Sequence, residues 1–401
     1  MKNQLNNIEF VFPDQPDLNR FVQLPVEKPF SENAISFLNA LSGILRKDNR
    51  TKDFPEIITF SFFCRKANLI QLKKQYYPNN KTRTGKGIAF HITPSNVPLN
   101  AAYSLVTGIL SGNLNMVRVP SKKFEQDTIV FQAIRTLHED PLFQPFARRI
   151  LLIRYDKAES ATAYFSSLCD VRMIWGGDDS IREIQKNPLQ THATDVTFRD
   201  KYSFCVIHAD RYVHEQAPRK IAQQFYNDTF LFDQQACTSP HLVVWLGSNE
   251  NISASKKIFW SNLYDIAKLN YQLQPDSAIN KLLTFYQQAL HLKGIKKISM
   301  PDNLIWRVEL NRLSPDIINH RGNCGYFIEY TATSLDELSA FVTKKCQTLT
   351  YYGINETILQ EKLENGVDRI VPIGKASEFS LTWDGYDLIE VLSCEYALTD
   401  K

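Results

Sequence analysis

The sequence has no long apolar run. Nowhere do about 18 apolar residues follow one another, as a membrane-spanning helix requires. The opening stretch, MKNQLNNIEFVFPDQPDLNR, also lacks the apolar segment of a secretory signal peptide. These two absences argue against a membrane span and against export, so we expect a cytoplasmic protein.

Cysteine is sparse and irregularly spaced. The seven cysteines form no CxxC pair, and none has a histidine partner at zinc-ligand spacing. We therefore expect neither a disulfide framework nor a metal site. In a reducing compartment most of these thiols should be buried, and Cys205 and Cys394, which lie in apolar strand-like runs, are examples.

A strong charge excess and the usual nucleotide fingerprints are missing too. The formal net charge of +3 over 401 residues is too small to indicate a nucleic-acid partner or a membrane surface. The chain contains neither a GxGxxG nor a Walker A motif. A small neutral or anionic ligand remains compatible with this composition.

Short apolar runs rich in Ile and Val recur along the chain, and helical patterns separate several of them. Examples of such runs are GIAFHI, NMVRVP, RILLIRY, FCVIHA and HLVVWLG. This alternation predicts an α/β fold with largely parallel sheets. The N-terminal region is predicted to be mainly helical, with ENAISFLNALSGILRK as its best amphipathic helix. A length of 401 residues favours two domains, with a boundary near TFRDKYSF at 197–204.

A polar turn, TPSNVP at 93–98, follows the run GIAFHI. Pro94 and Pro98 force a non-helical conformation and hold Asn96 at the carboxyl end of the strand, where open α/β sheets bind ligands. On its own, an asparagine between prolines is more often a turn former.

A second turn, WGGDDS at 175–180, follows another apolar run. Its glycines would let a ligand approach the backbone, and the helix that follows would offer amide hydrogens to a phosphate. Asp178, Asp179 and Ser180 occupy the positions of a helix N-cap, and an ordinary turn and cap explains the same residues.

The stretch FDQQACTSPH at 232–241 surrounds Cys237 with small and polar residues. It precedes the strand-like run HLVVWLG, so the thiol is predicted to lie on a loop at a strand entrance, where catalytic residues are frequent. Read locally, Cys237 is either a nucleophile or a small core residue. His241 or His208 could supply an imidazole to a Cys/His hydrolase, although closeness in sequence does not establish contact.

Taken together, in their order and spacing, the three stretches resemble the aldehyde dehydrogenase superfamily and, within it, the LuxC-type acyl-CoA reductases. PSNVP is similar to the superfamily's PWN(F/Y)P segment, which implies that Asn96 binds an oxyanion, and FDQQAC is similar to FNQGQxC, which implies that Cys237 is the catalytic nucleophile. WGGD corresponds to a turn that lies against the nicotinamide. The cofactor-binding residues implied by the resemblance are Thr93, Pro94, Ser95, Arg118, Ser121, Lys122, Trp175, Gly176 and Gly177.

The resemblance extends from about residue 85 to the C-terminus, and two departures from it bear on the chemistry. Phe198 aligns with the glutamate that activates water in hydrolytic members, so water attack on a thioester should be poor and a thioester-reducing enzyme is favoured. In the superfamily a second glutamate holds the nicotinamide ribose. The nearest counterpart here is NHRGNCG, 319–325, which contains no glutamate. In VPSK, Val119 stands where the superfamily has a lysine that binds the ribose, and Lys122 stands where it has an acidic residue. Arg118 or Lys122 would attract a 2′-phosphate, which favours NADPH over NADH.

The resemblance implies an aldehyde-dehydrogenase-like α/β fold with a Rossmann-like cofactor domain, a catalytic domain and a small oligomerisation arm. The expected domains are 1–200 with the arm around 72–88, then 201–370, and then 371–401 returning to the cofactor domain or the arm. The protein should form a homodimer or homotetramer.

The implied activity is NADPH-dependent reduction of a fatty acyl thioester to the aldehyde through a cysteine acyl-enzyme. The acyl group would arrive on coenzyme A, on an acyl carrier protein or from an acyl-protein synthetase, and no metal is required. The aromatic stretch FYNDTFLF, 225–232, would line an acyl channel or pack in the core. A cysteine-dependent acyltransferase or thioesterase without nicotinamide, and a non-catalytic binding protein on the same scaffold, remain as alternatives.

Overall fold

A computed structural model describes residues 8–78, 82–156, 159–363 and 366–396. The chain forms two compact units. The first comprises Met1–Arg199 and Phe379–Lys401, and the second comprises Asp200–Glu378. Residues 371–378 stay with the second unit because the backbone N–H groups of Gly374 and Ala376 donate to the buried carboxylate of Asp228.

The elements of the N-terminal part alternate between helices and strands. In chain order they are β1 (Glu9–Phe12), α1 (Leu18–Phe21), α2 (Glu32–Lys47), α3 (Pro55–Phe63), α4 (Lys66–Tyr76), β2 (Arg83–Gly85), β3 (Ile88–Ile92), α5 (Asn100–Leu110), β4 (Leu114–Arg118), α6 (Glu125–Glu139), α7 (Gln144–Ala147), β5 (Ile150–Arg154), α8 (Glu159–Ser166), β6 (Val171–Trp175), α9 (Asp178–Gln185) and β7 (Thr194–Phe198).

The remaining elements include a second set of strands. They are β8 (Tyr202–His208), α10 (Ala209–Tyr212), α11 (Pro218–Thr229), β9 (Pro240–Leu246), α12 (Asn249–Asn270), α13 (Pro275–His291), β10 (Ile295–Ile298), β11 (Trp306–Leu310), β12 (Tyr326–Ala332), β13 (Cys346–Tyr352), α14 (Glu356–Leu363), β14 (Val367–Pro372), β15 (Thr382–Trp383), β16 (Tyr386–Asp387), α15 (Leu388–Val391) and β17 (Ser393–Glu395).

The first unit is built on a six-stranded sheet with the order β1-β5-β4-β3-β6-β7. Neighbouring strands are parallel except β1, which pairs antiparallel with β5. The central strands β3 and β6 are buried along their whole length, as a parallel sheet covered on both faces requires. From β3 the chain adds β4 and β5 on one side and β6 and β7 on the other. The strand order therefore reverses beside β3, where open α/β sheets bind ligands.

The predicted amphipathic helix is confirmed as α2. The Ser31 hydroxyl accepts the backbone N–H of Ala34 and so caps its first turn. Residues spaced three or four apart face the core, among them Phe37, Leu38 and Leu41. Sequence periodicity sufficed here because a cap and an apolar stripe coincide.

The predicted arm around 72–88 covers the end of α4 and strand β2, while residues 79–81 lie outside the described residues. Strand β2 pairs antiparallel with β17, which joins this segment to the C-terminal part of the first unit. The oligomerisation role of the segment stays a prediction. No helix in the described part of the chain has the length and apolar character to cross a bilayer.

Gly112, at the turn from α5 into β4, has a φ of +86° and no room for a side chain, because a Cβ there would lie 2.1 Å from the carbonyl oxygen of Glu27. We expect Gly112→Ala to lower the free energy of unfolding by about 2 kcal/mol or more. Urea denaturation would measure the loss. The matched control is Gly43→Ala inside α2, where a Cβ meets nothing within 4 Å and helix propensity should raise stability slightly. Equal effects of the two substitutions would contradict the expectation.

The second unit is built on a seven-stranded sheet with the order β10-β11-β12-β9-β8-β13-β14, parallel except for the β10 and β11 pair. Its core includes an aromatic cluster to which Phe225, Tyr226 and Phe230 belong. Of the two readings of FYNDTFLF, core packing is therefore correct for these three rings. The buried carboxylate of Glu329 accepts the indole N–H groups of both Trp245 and Trp260, each at 2.9 Å.

Candidate active site

A cavity of about 830 Å³ opens in the first unit at the carboxyl ends of β3, β4 and β6. Its volume falls within the usual range of small-molecule sites. Most of the residues that the resemblance predicted for cofactor binding lie in its wall, together with Asn96. These wall residues are Thr93, Pro94, Ser95, Asn96, Arg118, Ser121, Trp175, Gly176 and Gly177.

Lys122 differs from the rest of this set. Among the described residues, the cavity wall includes Ser121 but not Lys122. The Lys122 ammonium lies 4.9 Å from the centre of the Phe124 ring, and the side chain is exposed. Its place next to Ser121 in sequence therefore did not put Lys122 in the described wall.

Arg118 forms part of the wall at the end of β4. Its guanidinium carbon lies 5.0 Å from the centre of the Tyr155 ring, and Nη2 donates to the Tyr155 carbonyl at 3.3 Å. Its Nε is buried and has no hydrogen-bond partner among the described residues. A buried N–H without a partner is costly, so an anionic oxygen bound in this cavity would be a favourable partner for it.

Two hydrogen bonds fix the floor of the cavity. The Thr93 hydroxyl donates to the Arg118 carbonyl at 2.8 Å and ties the ends of β3 and β4 together. The indole N–H of Trp175 donates to the Ser104 hydroxyl of α5 at 3.0 Å. The Thr93 hydroxyl is thus already engaged, whereas Ser95 and Asn96 are exposed.

Phe198, aligned by sequence with the water-activating glutamate, ends strand β7. Its ring stacks on Trp175 with 3.8 Å between centroids and 15° between planes, and only 3% of the residue is exposed. The side chain at this position is therefore part of an apolar stack and cannot act as a base.

The turn WGGDDS forms the start of α9, but one residue earlier than the sequence suggested. The N-cap of α9 is Gly177, with no side-chain capping bond, and Asp178 and Asp179 lie in the first turn. Asp179 is paired with Arg182. The prediction that the N-cap lies within Asp178, Asp179 and Ser180 is therefore wrong by one residue.

Cys237 belongs to the second unit, where it lies on the loop between α11 and β9, as predicted. Gln234 fixes this loop with a buried side chain that makes four hydrogen bonds of 3.0 Å. Its Nε2 donates to the carbonyls of Pro240 and Tyr326, and its Oε1 accepts the N–H groups of Gly325 and Tyr326. Gln234 itself has a φ of +59°. This clamp holds the loop against the amino ends of β9 and β12.

Two residues that the sequence analysis missed contact Cys237 directly. The Gln347 side-chain Nε2 lies 3.1 Å from the Cys237 sulfur. The Ser203 hydroxyl donates to the Cys237 carbonyl at 2.6 Å and accepts the Thr348 N–H at 3.0 Å. The partly exposed thiol therefore lies at the amino ends of β8, β9 and β13. The signal in the sequence for these two residues is a polar side chain near the start of a strand: Ser203 in YSFCVIH and Gln347 in CQTLTYY.

Neither nominated imidazole fits a Cys/His pair. The Nδ1 of His241 is hydrogen bonded to the Gly322 carbonyl at 2.9 Å, and burial, with the charge of Arg321, lowers the pKa of His241 to about 3. His241 is thus neutral near pH 7. His208 ends strand β8, whereas Ser203, which contacts Cys237, lies near its start; five residues of strand span about 17 Å.

The segment NHRGNCG, 319–325, lies beside the Cys237 loop. The Cys324 N–H donates to the Asp233 carbonyl at 2.9 Å, and Arg321 pairs with Asp200. Gly322 and Cys324 are buried. The segment thus serves to anchor the loop.

The other thiols divide into buried and exposed groups. Cys64, Cys169, Cys205, Cys324 and Cys346 are buried, and burial raises the pKa of Cys346 to about 11. The expectation that Cys394 is buried is wrong, because it lies in the two-stranded sheet of β2 and β17 and is exposed. Within the described residues, no three His, Cys, Asp or Glu side chains are grouped so that they could hold a metal ion.

The fold is that of the aldehyde dehydrogenases, which confirms the predicted fold class. Aldehyde dehydrogenase 21 from Physcomitrella patens superposes with a TM-score of 0.65 at 12% identity, covering 94% of this chain and 86% of that one. A benzaldehyde dehydrogenase from Corynebacterium glutamicum gives a TM-score of 0.60 at 12% identity with the same coverage. At these identities the likeness defines the fold alone.

The family to which the sequence belongs is a narrower grouping than this fold. Residues 17–393 match the family described as acyl-CoA reductase (LuxC), and the chain belongs to it. A long-chain acyl-protein thioester reductase from Vibrio harveyi is 25% identical over 300 residues, which are 73% of this chain and 60% of that protein. One from Photorhabdus luminescens is 24% identical over 299 residues, 73% of this chain and 59% of that protein. The aligned part thus spans about three fifths of the length of these relatives.

Proposed function

We propose that this chain reduces a long-chain fatty acyl thioester to the aldehyde through an acyl-enzyme on Cys237. The observation that carries the proposal is the partly exposed Cys237 thiol, held on a clamped loop with an amide N–H on its sulfur. The two relatives are named acyl-protein thioester reductases, which supports an acyl group delivered on a protein as well as on coenzyme A. An acyl carrier protein or an acyl-protein synthetase is the proposed partner, and a homodimer or homotetramer the proposed assembly.

In this mechanism the Cys237 thiolate attacks the thioester carbonyl, and the leaving thiol departs from the tetrahedral adduct. The Cys237 backbone N–H donates to the oxyanion, whose charge develops only on the way to that adduct. The proposed role of Asn96 as an oxyanion donor rests on the similarity of PSNVP to the superfamily's oxyanion segment. Phe198 supplies no base for water, which favours hydride transfer to the acyl carbonyl over hydrolysis of the acyl-enzyme.

A nicotinamide cofactor is the proposed source of the hydride, since the reduction needs two electrons that the side chains do not supply. The cavity beside β3 fits such a group because it lies where the strand order reverses, and because the buried Nε of Arg118 needs an acceptor. Ser95, Ser121, Gly176 and Gly177 would hold its polar parts, and Trp175 would form an apolar wall.

NADPH is proposed over NADH because Arg118 can pair with a 2′-phosphate, while Lys122 lies outside the wall. We expect Arg118→Leu to weaken NADPH binding by roughly 10- to 100-fold more than NADH binding, the value of a charge-assisted hydrogen bond. Titration of nicotinamide fluorescence without acyl substrate measures both affinities. Lys122→Leu is the matched control and should change the ratio less. Equal weakening for both cofactors would remove Arg118 as the basis of the preference.

The proposed function is tested with purified protein, a long-chain acyl-CoA and NADPH. Nicotinamide oxidation is followed by absorbance, and release of free thiol is assayed in parallel. Oxidation that depends on Cys237 supports the reductase. Thiol release without oxidation would replace it with an acyltransferase or thioesterase, and silence in both channels would favour a binding protein.

A further inference from the structure

Gln347 is oriented toward the sulfur of Cys237 by its own surroundings. Only 3% of the residue is exposed. The Thr348 hydroxyl donates to its Oε1 at 3.5 Å, and its Nε2 lies 3.1 Å from the Cys237 sulfur. With the amide oxygen turned toward that hydroxyl, an amide N–H faces the sulfur.

An irregularity in the sheet directs Gln347 toward the sulfur. Cys346 pairs with Tyr202 and Leu349 with Phe204, so three steps along β13 oppose two along β8. One extra residue in a strand forms a bulge, which commonly re-aims a side chain near an active site. The Ser203 hydroxyl, which accepts the Thr348 N–H, fills the interrupted ladder at this point.

We infer that Gln347 is a catalytic residue that stabilises the Cys237 thiolate. An N–H donor interacts more strongly with an ionised acceptor than with a neutral one, and a neutral thiol is a weak acceptor. The bond therefore favours loss of the thiol proton to solvent. The nearby His241 is neutral and bonded elsewhere, so it does not provide an imidazolium for this purpose.

This inference rests on the proposed function, in which Cys237 is the nucleophile. In that reaction the hydrogen bond from the Gln347 amide to the Cys237 sulfur acts at two steps. It stabilises the thiolate before attack. When the reduced adduct collapses, the C–S bond breaks, its electron pair returns to sulfur, and the alkoxide becomes the aldehyde carbonyl. Sulfur regains its negative charge in that step, and the Gln347 amide stabilises it again.

The test is alkylation of the full chain with iodoacetamide over a range of pH, with each cysteine quantified by peptide mass spectrometry. Cys394, exposed and in the other unit, is the internal reference. Gln347→Met has a similar shape but no donor. We expect the midpoint of Cys237 alkylation to rise by about one pH unit and its rate near neutral pH to fall roughly 10-fold. Gln347→Glu should raise the midpoint further, because a carboxylate repels the thiolate.

A further variant tests whether the effect is specific to the amide beside the sulfur. Gln360→Met, on the exposed surface of α14, controls for loss of a glutamine amide. Cys394 should react identically in all variants.

Unchanged midpoints in Gln347→Met and Gln347→Glu would overturn the inference. If the methionine variant does not fold, as judged by its thermal melting, the glutamate variant alone decides. If Cys237 of the native protein reacts no faster than Cys394, both the inference and the assignment of Cys237 as the nucleophile are overturned. Midpoints that move as expected, in a protein that oxidises no NADPH, would support the inference while removing the reductase.

Discussion

Replacing Cys237 with serine should lower NADPH oxidation with a long-chain acyl-CoA by at least about 10³-fold. A serine hydroxyl ionises far less readily than a thiol, and the Gln347 amide is a hydrogen-bond donor that cannot remove its proton. The substitution changes one atom of a partly exposed residue on a loop held by Gln234, so the fold should persist. Nicotinamide absorbance gives the rate, and mass spectrometry shows whether an acyl group still attaches.

The control for this experiment is Cys394→Ser, which removes the exposed thiol of the first unit. It should leave oxidation unchanged. Oxidation that survives in Cys237→Ser would assign the acyl group to another nucleophile. Loss of oxidation with retained thiol release would separate acyl transfer from reduction.

The second large effect is expected at Asn96. Asn96→Ala removes the proposed oxyanion donor, a side-chain amide of the cavity wall, and loss of one such donor costs about 10² to 10³ in rate. The loss should appear in kcat, because the oxyanion charge exists only after attack begins. Steady-state kinetics with acyl-CoA measure it, and NADPH fluorescence titration should show a much smaller change in cofactor affinity.

Asn33→Ala is the matched control for Asn96→Ala. Asn33 is an exposed asparagine of the same unit, and its amide donates to Glu27 outside the cavity. Its replacement should leave kcat unchanged. A rise in KM for the acyl substrate with unchanged kcat in Asn96→Ala would contradict the oxyanion role and assign Asn96 to ground-state binding.

Much of the fold could be predicted because its signals are local. The run GIAFHI is apolar throughout because β3 is buried on both faces of a parallel sheet, and α2 carries its cap and its apolar stripe in consecutive residues. The wall of the cavity could also be predicted, because TPSNVP and WGGDDS each follow a strand whose carboxyl end forms that wall. In these cases sequence order and spatial order coincide.

The immediate surroundings of Cys237 could not be predicted, because they come from distant parts of the chain. Ser203 is 34 residues from Cys237, and Gln347 is 110 residues away. Their contacts depend on which strands are neighbours and in what register the strands pair. The periodicity of a sequence gives neither the strand order nor the register. Lys122 and Cys394 show a related limit: each was interpreted from its neighbours in sequence, whereas in the structure Lys122 lies outside the described cavity wall and Cys394 is exposed.

The bulge between Cys346 and Leu349 makes the length of this segment as important as its composition. A relative that keeps the glutamine but lacks one residue here would regain a regular ladder, and every side chain before the deletion would change face relative to β8. Such a relative would retain the amide in its sequence and lose it from the sulfur. Comparing members of this family therefore requires counting residues between the strands, as well as matching letters at position 347.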